Sequence, residues 1–357
     1  FSTSTSTPAH PTEDGVPHLH KYAYVFVAYD HIGYAVAHQL YEQLEKSLEG
    51  QDHLKHSGGG HLKEQFIDPF NMDKNCTSLN LESSTVTILE SPEFHCNMQK
   101  LRSLFMDHKD LKQEKWGVKL IHLVRNPFSM AISNYQDRKS YHTPEEVRFK
   151  NPCSSLTQKF TSAKGTSLTV ADLNSPILSE HGIMTHEDFD KILAQCNDMF
   201  QTQPGLESAS YHQHLEELPP ANGLKLAVAD RLNSIALMAS DLISFKQIHA
   251  LVQEEASNPK RKKIRHLDMM TLPLDEVLNY PGHSMMEFMD FVFGPYMAFY
   301  TKRKAAADFE HNLIGEDFND AKETEDLIGF LENDPLFGGP LTRVESLLDS
   351  VLSGAKE

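Results

Sequence analysis

The sequence predicts an α/β fold in three layers, with a central parallel sheet and helices on both of its faces. Two runs carry the prediction. Tyr22 to Ala28 (YAYVFVA) and Trp116 to Val124 (WGVKLIHLV) are strand-sized and apolar apart from Lys119 and His122, the composition of strands buried on both faces. Each leads at once into a turn and a helical pattern, and strands alternating with helices at this spacing give a parallel sheet. The chain can also bury a core around such a sheet, since 39% of its 357 residues are hydrophobic.

The first run is β-branched and aromatic, and Tyr29-Asp30-His31-Ile32-Gly33 reads as a loop at its end. Val36, Leu40, Leu44 and Leu48 then recur every four residues beside Tyr41, a helical stripe that stops near Gly50. Residues 50–64 read as a polar insertion. Its Gly58-Gly59-Gly60 is too loose to preorganise His53, His56 and His61, so no metal is expected. Thr85 to Leu89 (TVTIL) is a second strand, ended by Glu90-Ser91-Pro92 because proline cannot extend a central ladder. Helices are expected over Asn97 to His108 and from Pro127 through Tyr135.

From 136 to 220 the pattern loosens into an elaboration. It holds one clear helix, capped by Thr185 and Asp188, with Phe189, Ile192, Leu193, Cys196 and Phe200 on its buried face. Leu224 to Leu251 is a long helical segment and Ile264 to Met270 returns as a strand. Leu272 to Phe293 reads as a loop and then a helix ending at Gly294. The chain thus divides into a tail over 1–20, an α/β domain over 21–300 and a helical extension over 301–357. In that extension Thr342 and Glu345 read as a capping box ahead of the apolar face Val344, Leu347, Leu348, Val351 and Leu352.

Acidic residues outnumber basic ones 50 to 33, a net charge of -17, which argues against nucleic acid as a partner because its backbone is gripped by Lys and Arg. The basic cluster Lys260, Arg261, Lys262, Lys263 and Arg265 reads as a solvated turn or as a contact for an anion or partner. No transmembrane segment is expected, since no apolar run approaches the roughly eighteen residues of a span. Cys76, Cys96, Cys153 and Cys196 form no C-x-x-C and permit two disulfides without requiring them. Asn75-Cys76-Thr77 is a glycosylation sequon that matters only on the secretory route. The Ser/Thr/Pro/His-rich stretch from Phe1 to Pro17 has the look of a trimmed targeting peptide or a stem, which leaves mitochondrion, plastid and Golgi lumen open as compartments. Such a tail is ordered only when something holds it, which keeps open a place in a larger protein complex.

The chemistry is concentrated where strand meets helix. A strand that runs into Arg125-Asn126-Pro127 sets a guanidinium at the carboxyl end of the sheet, where open α/β folds bind ligands, and its fork matches a phosphate. Ser133 follows eight residues later on the next helix, so the two can converge on one anion. The segment KLIHLVRNPFSMAISNY, Lys119 to Tyr135, resembles the 3′-phosphate-binding segment of sulfotransferases that use 3′-phosphoadenosine 5′-phosphosulfate (PAPS), with Arg125 and Ser133 matching in residue type and spacing. The resemblance extends more weakly to Tyr22 to Leu48, in the place of the family's P-loop-like phosphosulfate loop. It also reaches the stretch from Lys263 to Gly294, where Asp268 fits the family signature and Leu267 does not.

That resemblance implies PAPS as sulfuryl donor, PAP as product, a P-loop-like fold and an acceptor hydroxyl or amine that the sequence does not identify. Gly33 and Tyr34 would line the donor loop, His31 would stand in for the family's lysine, and Glu90, or else His95, would take the acceptor's proton. The loop departs from the family. His31-Ile32-Gly33-Tyr34 replaces a Lys-Ser/Thr-Gly-Thr pattern, histidine carries charge only when protonated, and Asp30 adds a negative one. The absence of G-x-x-x-x-G-K-[ST], G-x-G-x-x-G and G-x-S-x-G sets aside a P-loop NTPase, a dinucleotide enzyme and a serine hydrolase. Two functions remain: an active PAPS-dependent sulfotransferase, and a catalytically silent relative serving as a structural or interaction subunit.

Overall fold

The structure, a computed structural model, describes residues 22–49, 63–66, 85–90, 117–140, 159–161, 167–201, 211–257, 267–313 and 321–354, together with Cys153, Leu156 and Thr157. The two apolar runs are strands, β1 (Tyr22–Ala28) and β4 (Gly117–Val124). Between them in the chain come β2 (Lys63–Phe66) and β3 (Thr85–Glu90), and after them a small antiparallel pair, β5 (Lys159–Thr161) and β6 (Ser167–Thr169), and then β7 (Leu267–Pro273). The sheet is parallel throughout, in the order β2-β3-β1-β4-β7, so the fold is α/β. Eleven helices are described: α1 (His31–Glu49), α2 (Pro127–Ser140), α3 (Val170–Glu180), α4 (His186–Gln201), α5 (Tyr211–Glu217), α6 (Pro220–Ser257), α7 (Leu274–Asn279), α8 (Pro281–Phe293), α9 (Phe299–Leu313), α10 (Ala321–Glu332) and α11 (Gly338–Gly354).

The chain forms two compact units. One comprises Phe1–Val124, Leu242–Asp317 and Leu352–Glu357, and the other Arg125–Asp241 and Phe318–Val351. In this division α9 belongs with the sheet, while α10 and most of α11 belong to the other unit.

In the sheet unit, alternate residues of β1 and β4 turn to opposite faces. Tyr24, Phe26, Ala28, Ile121 and Leu123 join Met270 and Leu272 in a core closed by Leu40 and Leu44 of α1, Phe288 and Met289 of α8, and Phe309 of α9. Ala23, Val25, Val27, Leu120 and His122 face the other way and are equally buried, His122 against the Phe245 ring of α6. Burial on both faces is why these strands read as continuous apolar runs. Lys119 is the exception that is neutralised: its ammonium donates to the Phe291 carbonyl, lies 3.8 Å from Asp268, and sits over the Tyr22 and Phe291 rings. Lys302 does the same at the end of α8, donating to Asp290 and to the Gly294 carbonyl.

In the second unit, α3 and α4 begin with reciprocal caps, Thr169 with Asp172 and Thr185 with Asp188. Phe189, Ile192 and Cys196 of α4 are buried as expected, while Leu193 and Phe200 are half-buried. Cys196 is bonded to Cys153, 43 residues earlier. The helix α2 lies along α6, where Asn134 Nδ2 donates to the Ala227 carbonyl and to Asp230. α6 is long and apolar enough to cross a membrane, and 67% of that stretch is buried within the protein.

Three expectations are corrected. Thr342 and Glu345 do not start a helix, since α11 begins at Gly338, where any Cβ would overlap the Glu332 and Leu331 carbonyl oxygens. Thr342 instead accepts from Ser346 within the helix, and Glu345 accepts from Asn126. The last strand of the sheet runs past Met270 to Pro273, and α7 occupies the stretch read as a loop after Leu272, while residues 264–266 lie outside the described residues. The elaboration over 136–220 is more ordered than its pattern suggests, holding β5, β6, α3 and α5. The expected helix over 97–108, the tail over 1–20, the histidines at 53, 56 and 61, and Cys76 and Cys96 lie outside the described residues.

Candidate functional site

The order of the sheet points to where a ligand belongs. After β1 the chain turns toward β2 and β3, and after β4 it goes to the opposite edge at β7, so the carboxyl ends of β1 and β4 flank the topological switch point. What stands at the end of β1 differs from the expected loop. Only Tyr29 and Asp30 separate β1 from α1, and His31, Gly33 and Tyr34 already lie in the first turns of the helix. The reason is the Asp30 side chain, whose Oδ1 accepts from the Gly33 amide at 2.6 Å while its carbonyl accepts from Tyr34 N at 3.0 Å. Asp30 is thus the N-cap of α1, and it is buried.

That cap bears on anion binding. A helix N-terminus holds phosphate through free amides and a positive dipole end. Here the Gly33 amide is taken by a carboxylate of this chain, and a Cβ at Gly33 would lie 3.0 Å from that oxygen and 3.3 Å from Ala28 Cβ. The Asp30 carboxylate therefore sets a negative charge at the amide that an anion would meet in this turn. Tyr34 packs partly against the core and edge-on to His38, 4.7 Å between ring centroids. Replacing Asp30 by alanine is expected to lower stability by about 1 kcal/mol, read as a shift in the urea midpoint.

Beside this junction, Tyr29 Oη and His122 Nε2 share a hydrogen bond of 2.5 Å, and the rings meet edge-on. Burial pulls the imidazole down to about 3, so His122 is neutral. Sequence reasoning missed this pair, although a histidine inside KLIHLV was its signal. Glu90 ends β3 level with Ala28 of β1, at the carboxyl edge of the sheet. His95 lies outside the described residues.

The Arg125-Asn126-Pro127 motif opens the second unit, and two of its three residues are explained by helix initiation. Asn126 Oδ1 accepts from Phe128 N at 2.9 Å and Ser129 N at 3.3 Å, and Pro127 takes the first helical position, where its missing N–H costs nothing. Arg125 is left over from that account. It is 8% exposed, and its amide donates to Met238 Sδ of α6. Ser133 falls on the half-buried stripe of α2 with Asn126, Ser129 and Gln136. An arginine ahead of a capped helix, with a serine two turns along it, is a donor set that fits a phosphate monoester. Among the described residues no cluster of metal-ligating side chains occurs.

Compared with known proteins, the chain matches no family model, no curated protein and no solved structure.

Proposed function

We propose that this chain is a sulfotransferase-like protein, three-layered about its parallel sheet, that binds a 3′-phosphoadenosine nucleotide through Arg125 and Ser133 but has lost sulfuryl transfer, and that it serves as a structural or interaction subunit of a larger protein complex. The observation that carries this reading is the Asp30 carboxylate on the Gly33 amide. It sets a negative charge where the family sets a lysine and a phosphate cradle, and a second anion about 4 Å away is repelled by about 4 kcal/mol at an effective dielectric of about 20. Nucleotide binding that stabilises without reacting is compatible with such a role. The Cys153–Cys196 disulfide favours an oxidising lumen over a mitochondrial or plastid interior.

A second reading, an active enzyme, is favoured by Glu90 at the carboxyl edge of β3. In that case the acceptor oxygen or nitrogen attacks the sulfur of PAPS, the sulfur–oxygen bond to the phosphate breaks, Glu90 takes the acceptor's proton and PAP departs with the bonding electrons.

Calorimetry with PAP tests the first reading. Wild type should bind it, and Arg125→Ala should weaken binding tenfold or more, the size of a lost charge-assisted contact at about 1.5–3 kcal/mol. Absence of PAP binding to folded wild type would overturn the nucleotide reading. Consumption of PAPS that Glu90→Gln abolishes would replace the silent protein with the active one.

A further inference from the structure

Five charged side chains are buried among the described residues: Asp30, Lys119, Arg125, Asp241 and Lys302. Three are accounted for. Asp30 caps α1, Lys119 meets Asp268 and the Phe291 carbonyl, and Lys302 meets Asp290 and the Gly294 carbonyl. The other two are Arg125 and Asp241, one cation and one carboxylate, and Asp241 is 0% exposed. A carboxylate removed from water to that degree is tolerated only beside a cation or several donors.

The helix geometry brings these two together. Asp230 faces α2, since it accepts from Asn134. Asp241 is eleven residues on, which at 3.6 residues per turn is about three turns, so it falls on the same stripe of α6 and about 16 Å along the axis. On α2, seven residues separate Asn134 from Pro127, about 10 Å of helix, and the two residues back to Arg125 add at most about 7 Å. The antiparallel course is fixed at its far end by the Arg125 amide on Met238, one turn short of Asp241. Arg125 and Asp241 are therefore level with each other on facing stripes of one unit.

We infer that Asp241 is the counter-carboxylate of Arg125 and the positioning residue that aims its guanidinium at a 3′-phosphate, an inference whose second half rests on the nucleotide reading above. The guanidinium has five N–H donors in a fixed plane; a carboxylate engages two and leaves the others pointed away from it. Asp241 touches no nucleotide in this arrangement. Its effect falls on the orientation of Arg125 and so on the 3′-phosphate alone.

The pairing is tested by a double-mutant cycle on stability in urea with Arg125→Met, Asp241→Leu and the double variant. The expected result is that the double variant is more stable than the sum of the single losses allows, or that it folds where Arg125→Met alone does not; additive losses, or a double variant that fails to fold, overturn the pairing. The positioning role is tested with PAP against adenosine 5′-monophosphate, which lacks the 3′-phosphate. Asp241→Asn should cut the preference for PAP about tenfold, as Arg125→Ala does, whereas a merely structural Asp241 weakens both ligands together and leaves the preference unchanged. If wild type binds PAP and Arg125→Ala loses it while Asp241→Asn keeps the wild-type preference, the positioning role fails and the nucleotide reading stands. If wild type binds no PAP, that reading and the positioning role fail together, and the stability cycle still decides the pairing.

Discussion

Acidification from pH 6.5 to about 3 is expected to remove roughly 4 kcal/mol of stability through His122 alone. Burial lowers this imidazole from 6.5 to about 3 in the folded protein. Across that window the unfolded chain binds a proton that the folded chain refuses, so stability falls as pH falls, at about 1.4 kcal/mol per unit. Of the whole, about 3 kcal/mol should be gone by pH 4. Urea unfolding of wild type and His122→Gln at pH 7 and pH 4 measures it, because the carboxylates common to both proteins cancel in the difference. Wild type should lose about 3 kcal/mol more than the variant between those two values. Equal losses would mean that His122 is solvated, and would remove the buried Tyr29–His122 pair from the account of the switch point.

Opening the Cys153–Cys196 bond is expected to cost about 4 kcal/mol. The bond closes a loop of 43 residues, and the chain entropy that it withholds from the unfolded state has that size. Both sulfurs lie in buried residues of the unit that begins at Arg125, with Cys196 on the core face of α4. Denaturant unfolding with and without reductant, and of the Cys153→Ala, Cys196→Ala protein, should agree on the loss. A change below about 1 kcal/mol would show that the loop is already restrained without the bond.

The sheet was largely legible because its strands are buried on both faces and carry no competing pattern. Tyr22–Ala28 is the strand that its composition predicts, and the stripe through Val36, Leu40 and Leu44 is the buried face of α1. What was not legible depends on single side chains. Asp30 reads in sequence as an unwelcome charge in a loop, and in the structure its carboxylate makes the loop into the first turn of a helix. A carboxylate just before an apolar helical stripe is an N-cap signal, so this outcome had a local cause. Thr342 and Glu345 show the reverse, a capping pattern inside a helix that Gly338 lets start earlier. Asp241 could not be found from sequence, because one acidic residue in an apolar helix shows neither its burial nor its neighbour.

The order of the sheet also fixes when it can be completed. β7 pairs with β4 from Val118 to Val124, yet it is encoded about 140 residues later. At typical ribosomal speeds those residues take on the order of 10 to 30 s to make. During that interval one edge of a strand that is buried along its whole length in the finished fold has no neighbour, and a parallel strand left open in this way is a template for another chain. The nascent chain therefore carries an open sheet edge that the finished molecule does not.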